Sequence, residues 1–244
     1  MKRLLSLLLA SILLASTFMF AGCSGNGDYK EVGWDEIQKF IDSRTNLSYE
    51  DAQVYFKDGY TEIRSLYGEP VSTRITYNKD GVNLIFVEDA YEDEDGEISS
   101  SNHLYYTDGW VYRRVVESHE EKVYEKDEVD FDTALWLFGM DYAGVLANED
   151  DLSMYYTYLL MGDDYKFYMA KTATTTKIKV VNRSTLAGYN HTNTMEYIYD
   201  AEQRLVEYYF ISVDTKNQPI NETKIFPTKV APTFPDLSGF PQAN

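Results

Sequence analysis

Only a few side chains in this sequence are of types that do chemistry, and their spacing excludes most of what they could do. His103, His119 and His191 stand far apart in a chain of 244 residues. His119-Glu120 begins the string of a zinc-binding helix, but position 123, where the second histidine must fall one turn later, is Val. No G-x-S-x-G elbow, no phosphate-binding G-x-x-x-x-G-K-[ST] loop and no G-x-G-x-x-G opening a helix occurs. With no nucleophile or base in a recognisable mechanical context, the chain is expected not to be an enzyme and to need no cofactor. The run Glu88-Asp89-Ala90-Tyr91-Glu92-Asp93-Glu94-Asp95-Gly96-Glu97 invites a calcium reading. A calcium loop with Gly96 at its central turn needs an acid at 91 and Glu at 102, and the chain has Tyr91 and Asn102. The run is therefore read as a solvated hairpin tip turning at Asp95-Gly96, with no metal site. Cys23 is the single thiol, so no disulfide can form within the chain.

The surroundings of Cys23 are more informative. Lys2 and Arg3 precede an apolar run, Leu4 to Leu14, broken only by Ser6 and Ser11, and small residues then lead to Ala21-Gly22-Cys23. That order is the one found in secretory signal peptides. A membrane-spanning helix is the rival. The 18 residues from Leu4 to Ala21 would reach only ~27 Å as a helix, short of a ~30 Å hydrocarbon core, and no basic flank follows at 24–28. Phe20-Ala21-Gly22-Cys23 resembles the lipobox of bacterial lipoproteins: an apolar residue, a small one, Gly or Ala, and the Cys that receives a diacylglycerol. The resemblance implies cleavage between Gly22 and Cys23 and lipidation of Cys23. It also implies a bacterial protein held on the extracytoplasmic face of a cell membrane.

Charge agrees with that address. Lys and Arg number 22 against 40 Asp and Glu, a formal net charge of -18, and removing residues 1–22 with Lys2 and Arg3 takes it to -20. Such a polyanion is no nucleic-acid binder, because phosphate backbones need cationic side chains to displace their counterions. An anionic membrane surface would repel it too, so the lipid has to supply the affinity, at ~0.8 kcal/mol per buried CH₂. An apolar fraction of 44% and an aromatic fraction of 15% exclude intrinsic disorder.

The elements that must position any site follow from patterning. Residues 23–33 read as the lipidated Cys and a flexible Gly-rich tether, and 34–244 as one β-rich domain. Trp34 to Asp42 has apolar residues at one helix face, and 49–67 is expected to be helical or irregular. Strands are expected at Val71–Asn78, Val82–Ala90, Ile98–Thr107, Trp110–Ser118 and Glu120–Lys126, with Asp80-Gly81 and Asp108-Gly109 as hairpin turns. Asp130 is placed to cap a helical stretch, Phe131 to Ala147, and Asp150 or Asp151 to cap another, Leu152 to Met161. Further strands are expected at Tyr165–Thr172, Thr176–Asn182, Thr194–Tyr199, Arg204–Asp214 and Glu222–Pro227. Both sets of alternate residues in Arg204–Asp214 are largely apolar, so that strand should be covered on both faces. The tail after Pro227, with Pro232, Pro235 and Pro241, should run extended over the surface.

This order of a helix, a meander, a helical insertion, a second meander and a tail resembles the LolA and LppX-like lipoprotein-carrier fold. The fold class expected is α+β and β-rich: a curved antiparallel sheet, a half-barrel, with an N-terminal helix and a central helical insertion. The resemblance implies an apolar cavity for acyl chains. Leu135, Trp136, Leu137, Phe138 and Met140 are apolar on every side of their helix, and must be buried, line a cleft or cover one. Leu135, Trp136, Phe138 and Met140 are accordingly the candidates for lining a hydrophobic-ligand site. The function expected is a membrane-anchored lipoprotein that binds or carries a lipid-like ligand. The alternative is an anchored, non-enzymatic module that engages another cell-envelope protein.

Overall fold

A computed structural model describes residues 29–44, 58–92, 98–138, 140, 152–161, 163–186 and 189–243. Among them run twelve strands: β1 (Lys30–Val32), β2 (Tyr60–Leu66), β3 (Glu69–Lys79), β4 (Val82–Glu92), β5 (Ile98–Thr107), β6 (Trp110–Glu117), β7 (Glu120–Glu128), β8 (Tyr165–Lys171), β9 (Thr176–Leu186), β10 (Tyr189–Tyr199), β11 (Leu205–Asp214) and β12 (Pro219–Pro227). They form a single sheet in the order β1-β8-β9-β10-β11-β12-β2-β3-β4-β5-β6-β7, and every neighbouring pair is antiparallel. Two meanders, β2–β7 and β8–β12, thus join along one seam where β12 pairs with β2.

The turns show why the first meander was readable. Asp80-Gly81 and Asp108-Gly109 both have positive φ at both positions, the geometry that matches the strand twist. The β6–β7 turn uses Ser118 and His119 in the same left-handed region without a glycine. The expectation for 49–67 is corrected at 60–66, which is strand β2; residues 45–57 lie outside the described residues. Tyr60, Thr61 and Glu62 are consecutive and all buried, so both faces are covered at the start of β2 and its side chains show no alternation there. The tether is corrected too: Lys30–Val32 pairs with Phe167–Met169, a strand too short for any periodicity to reveal. Tyr29 is held before it, its hydroxyl donating to Glu196 and its ring lying 4.0 Å from Lys179 Nζ. β9 and β10 run farther than their apolar alternation suggested, through residues dominated by Asn, Ser and Thr.

Helix α1 (Trp34–Ser43) buries Ile37 and Phe40. Helix α2 (Phe131–Leu137) starts as expected at Asp130, whose carboxylate accepts from the Thr133 N–H at 2.8 Å. It stops earlier than predicted, at Leu137, and residues 141–151 lie outside the described set. Helix α3 (Met154–Leu160) has Ser153 as its N-cap. All three contribute to one apolar cluster with the inner face of the sheet, including Phe167 of β8, Ile178 of β9, Tyr197 of β10, Tyr208 of β11, Ile225 of β12, Ile85 of β4, Tyr106 of β5 and Val111 of β6. A bulge keeps β11 in step with that face: Ile198 pairs with Glu207 but Tyr199 with Leu205, so Val206 is the extra residue and Leu205 turns into the core. No residue of β11 is exposed, in accord with a strand covered on both faces.

On the outer face the tail runs extended over the first meander. Thr228 N–H donates to the Gly59 carbonyl at 3.0 Å. Phe234 packs on Phe86 and Tyr105, and Phe240 on Tyr112 and Tyr124. The tail then pairs with the edge strand, the Lys126 N–H donating to the Pro241 carbonyl and the Ala243 N–H to the Lys126 carbonyl.

Candidate functional site

Three places bring chemistry-bearing or apolar side chains together. The first is the helical layer over the inner face. α2 turns Ala134 into the core, Phe138 and Met140 follow it there, and Leu135 is half-buried against the same cluster. Trp136 points the other way and is 76% exposed, with Leu137 exposed beside it in sequence. The helix is therefore not buried on all sides: it has an apolar inward face and a mixed outward one, where Trp136 and Leu137 stand beside Asp132 and Thr133. α3 repeats the arrangement. Tyr155 is buried, its hydroxyl 2.7 Å from that of Tyr197, and it packs on Tyr165 and Phe167. Tyr156 stacks on Trp34 of α1 with centroids 5.8 Å apart, while Leu160 and Met161 are 71% and 73% exposed. Sequence reasoning missed Leu160; the available signal was the absence of any charge between Leu152 and Met161. Among the described residues, no helix is long and apolar enough to cross a membrane.

The second place is polar. On the inner face of β2–β7, fully buried Glu62 accepts from Arg64 Nε at 2.6 Å, Asp89 accepts from Ser72 and from Arg74 at 3.0 Å, and Arg113 donates to Glu125 and Asp127. These carboxylates are paired with guanidinium groups, which is what buried charge requires of a fold. On the opposite face the Tyr105 hydroxyl donates to Glu88 at 2.6 Å and lies 3.2 Å from His103 Nδ1. Burial holds the His103 imidazole below its ordinary range and pushes the Tyr105 phenol up. Phe234 packs edge-on against the Tyr105 ring of this group, with centroids 5.9 Å apart. His119 lies in a turn and His191 on β10, so the three histidines are not brought together. Among the described residues no cluster of His, Cys, Asp or Glu could hold a metal. The tip of the acidic run, 93–97, lies outside them.

The third place was not anticipated. Two adjoining hollows of about 410 and 500 Å³ lie at the end of β8–β11 where the β9–β10 and β11–β12 hairpins turn, and share Arg183, Thr192 and Asn217. Tyr168, Val181, Thr194 and Val213 line the larger, and Ser184, Asn190, His191 and Thr215 the smaller. Asp214 shapes the rim: its Oδ1 accepts from the backbone N–H of Lys216 and of Gln218, both at 2.8 Å, and Asn217 follows with φ of +60°.

Phe20, Ala21, Gly22 and Cys23 lie outside the described residues. The chain matches no family model, no curated protein and no solved structure.

Proposed function

We propose that this chain is a lipid-anchored bacterial lipoprotein, held on the extracytoplasmic face of a membrane through Cys23, whose sheet binds a lipid-like ligand beneath α2 and α3 without enzymatic turnover. The observation that carries the reading is the outward apolar surface of the two short helices. Trp136, Leu137, Leu160 and Met161 are exposed on helices that also roof the apolar inner face. Apolar surface left in water forgoes about 25 cal/mol per Å², and exposed apolar patches mark surfaces that meet something. A seven-residue helix is also a thin roof, only ~10 Å long, whose displacement would open apolar sheet to an acyl chain.

A half-barrel is supported by the reach of the core. Strands β8 to β6 are ten neighbours in the sheet, and all of them but β3 contribute residues to one cluster with three short helices. At ~4.8 Å per strand a flat sheet would spread those residues over ~43 Å, several times the length of the helices that cover them. Curvature brings the two ends under the same roof, as in the lipoprotein-carrier fold that the order of elements resembles.

Two measurements test the reading. Native mass spectrometry of the purified protein is expected to show co-purifying lipid that Trp136→Asp with Leu160→Asp removes; protein free of lipid from every preparation would sink ligand carriage. Cys23→Ala is expected to abolish membrane partitioning and the mass of the diacylglycerol, and unchanged partitioning would defeat the anchor independently.

A further inference from the structure

The two hollows on the outer side of the second meander belong to neither the anchor nor the apolar face. We propose that they form one binding site for a carbohydrate chain, a neutral ligand whose hydroxyls both donate and accept hydrogen bonds.

Their combined extent suits a small oligosaccharide, since each lies within the ~300–1,000 Å³ of small-ligand sites. The lining then selects the chemistry. Lys166 and Arg183 can only donate, Asp164 can only accept, and the amides and hydroxyls of Asn217 and Thr192 do both. An acyl chain would strip water from these groups and return no hydrogen bond. A phosphate would find Arg183 and Lys166, but also the carboxylates of Asp164 and Asp214, in a chain of net charge -18. A cation would meet the two basic side chains. A hydroxyl satisfies donor-only and acceptor-only partners with one group, so a polyhydroxylated ligand uses the whole lining.

Two further features fit. Tyr168, with Val181 and Val213, gives the larger hollow an apolar strip beside its polar groups, and a sugar ring presents a C–H face to an aromatic one beside its hydroxyls. The lining side chains stand mostly on paired strands, and the Asp214 turn fixes Asn217 at the rim by two backbone hydrogen bonds, so the site is held in shape before a ligand arrives. The sequence 182–194 carries Arg183 as its only Lys, Arg, Asp or Glu amid Asn, Ser and Thr, in a chain where such residues make up 25%. A surface built mainly for solvation would carry charge there like the rest.

The test is titration calorimetry of the full-length protein in detergent micelles with three neutral probes (the tetrasaccharide of N-acetylglucosamine, maltotetraose and cellotetraose) and with inorganic phosphate. Saturable binding of at least one oligosaccharide is expected at about 1 mM or tighter. Arg183→Ala, which removes an exposed donor, and Thr194→Trp, which fills the larger hollow, should each weaken it about tenfold or more. Trp136→Asp with Leu160→Asp should leave it unchanged, which separates this site from lipid carriage. Lys166→Ala, also at an exposed residue, stands in if Thr194→Trp lowers the melting temperature. No saturable binding of any oligosaccharide up to about 20 mM, equal binding by the hollow variants, or saturable binding of phosphate alone would overturn the proposal.

Discussion

The first meander carries the C-terminal tail across its outer face, whereas the second carries the polar hollows on its own. Over β4–β7 the rings of Phe234 and Phe240 press on Phe86, Tyr105, Tyr112 and Tyr124, and the tail's peptide groups occupy both the N–H and the carbonyl of Lys126 on edge strand β7. The opposite edge, β1, is only three residues long. Short edges and covered edges are two solutions to one hazard, the exposed row of unpaired backbone groups that recruits another chain. The contrast teaches a division of labour: the outer surface of the first half closes the fold, and that of the second half is left to the polar hollows.

The seam between the halves is where the largest effect is expected. Gly59 has φ of +105°, and a methyl group there would stand 2.1 Å from the Thr76 carbonyl oxygen. Its own carbonyl accepts from Thr228, so a shift to relieve the clash would disturb the tail as well. Gly59→Ala should cost on the order of 4 kcal/mol, read as a lower urea midpoint; a loss below about 1 kcal/mol would show that the seam yields. Next is Phe240→Ala, expected to cost about 3 kcal/mol by emptying the pocket between Tyr112 and Tyr124. By loosening the tail it should also expose the edge of β7, seen as concentration-dependent association in sedimentation velocity. Arg183→Ala in the second meander should change stability by less than about 0.5 kcal/mol. Comparable losses from Phe240→Ala and Arg183→Ala would erase the division of labour.

How much of this was legible varies with what each element answers to. β5, Ile98–Thr107, was readable to the residue at its C-terminal end because Asp108-Gly109 demands two left-handed positions. The start of α2 was readable because Asp130 caps a free N–H. β2 was not, because consecutive residues at its start, Tyr60 to Glu62, are buried on both faces, and its neighbour β12 comes from residues 219–227, far away in the chain. Trp136 could not be placed, since Leu135 to Phe138 are all apolar and offer no polar neighbour from which to infer the exposed side. Nor could the hollows be found, since their walls come from 164–168, 181–184, 190–194 and 213–217, and only strand register brings these together.

The smallest expected effect is also the one that divides the halves by sign. In the first meander burial holds the His103 imidazole below its ordinary 6.5, with Arg114 adding to that effect and Glu88 and Asp89 opposing it. As pH falls the unfolded chain therefore takes up the proton first, so this contribution is whole above pH 6.5 and is lost as pH falls through the window below it. In the second meander burial raises the Glu207 carboxyl above 4.5, against Lys229 and Lys177 and with the help of Glu196. Here the unfolded chain releases its proton first as pH rises, so the contribution is whole below pH 4.5 and is lost as pH rises through the folded value. His103→Gln should flatten the fall in urea midpoint between pH 7 and pH 5 and change little above pH 7. Glu207→Gln should instead raise the midpoint at neutral pH and remove a decline that begins near pH 4.5. Midpoints measured at half-unit steps separate the two, and an unchanged pH slope in either variant would mean that burial does not control that group.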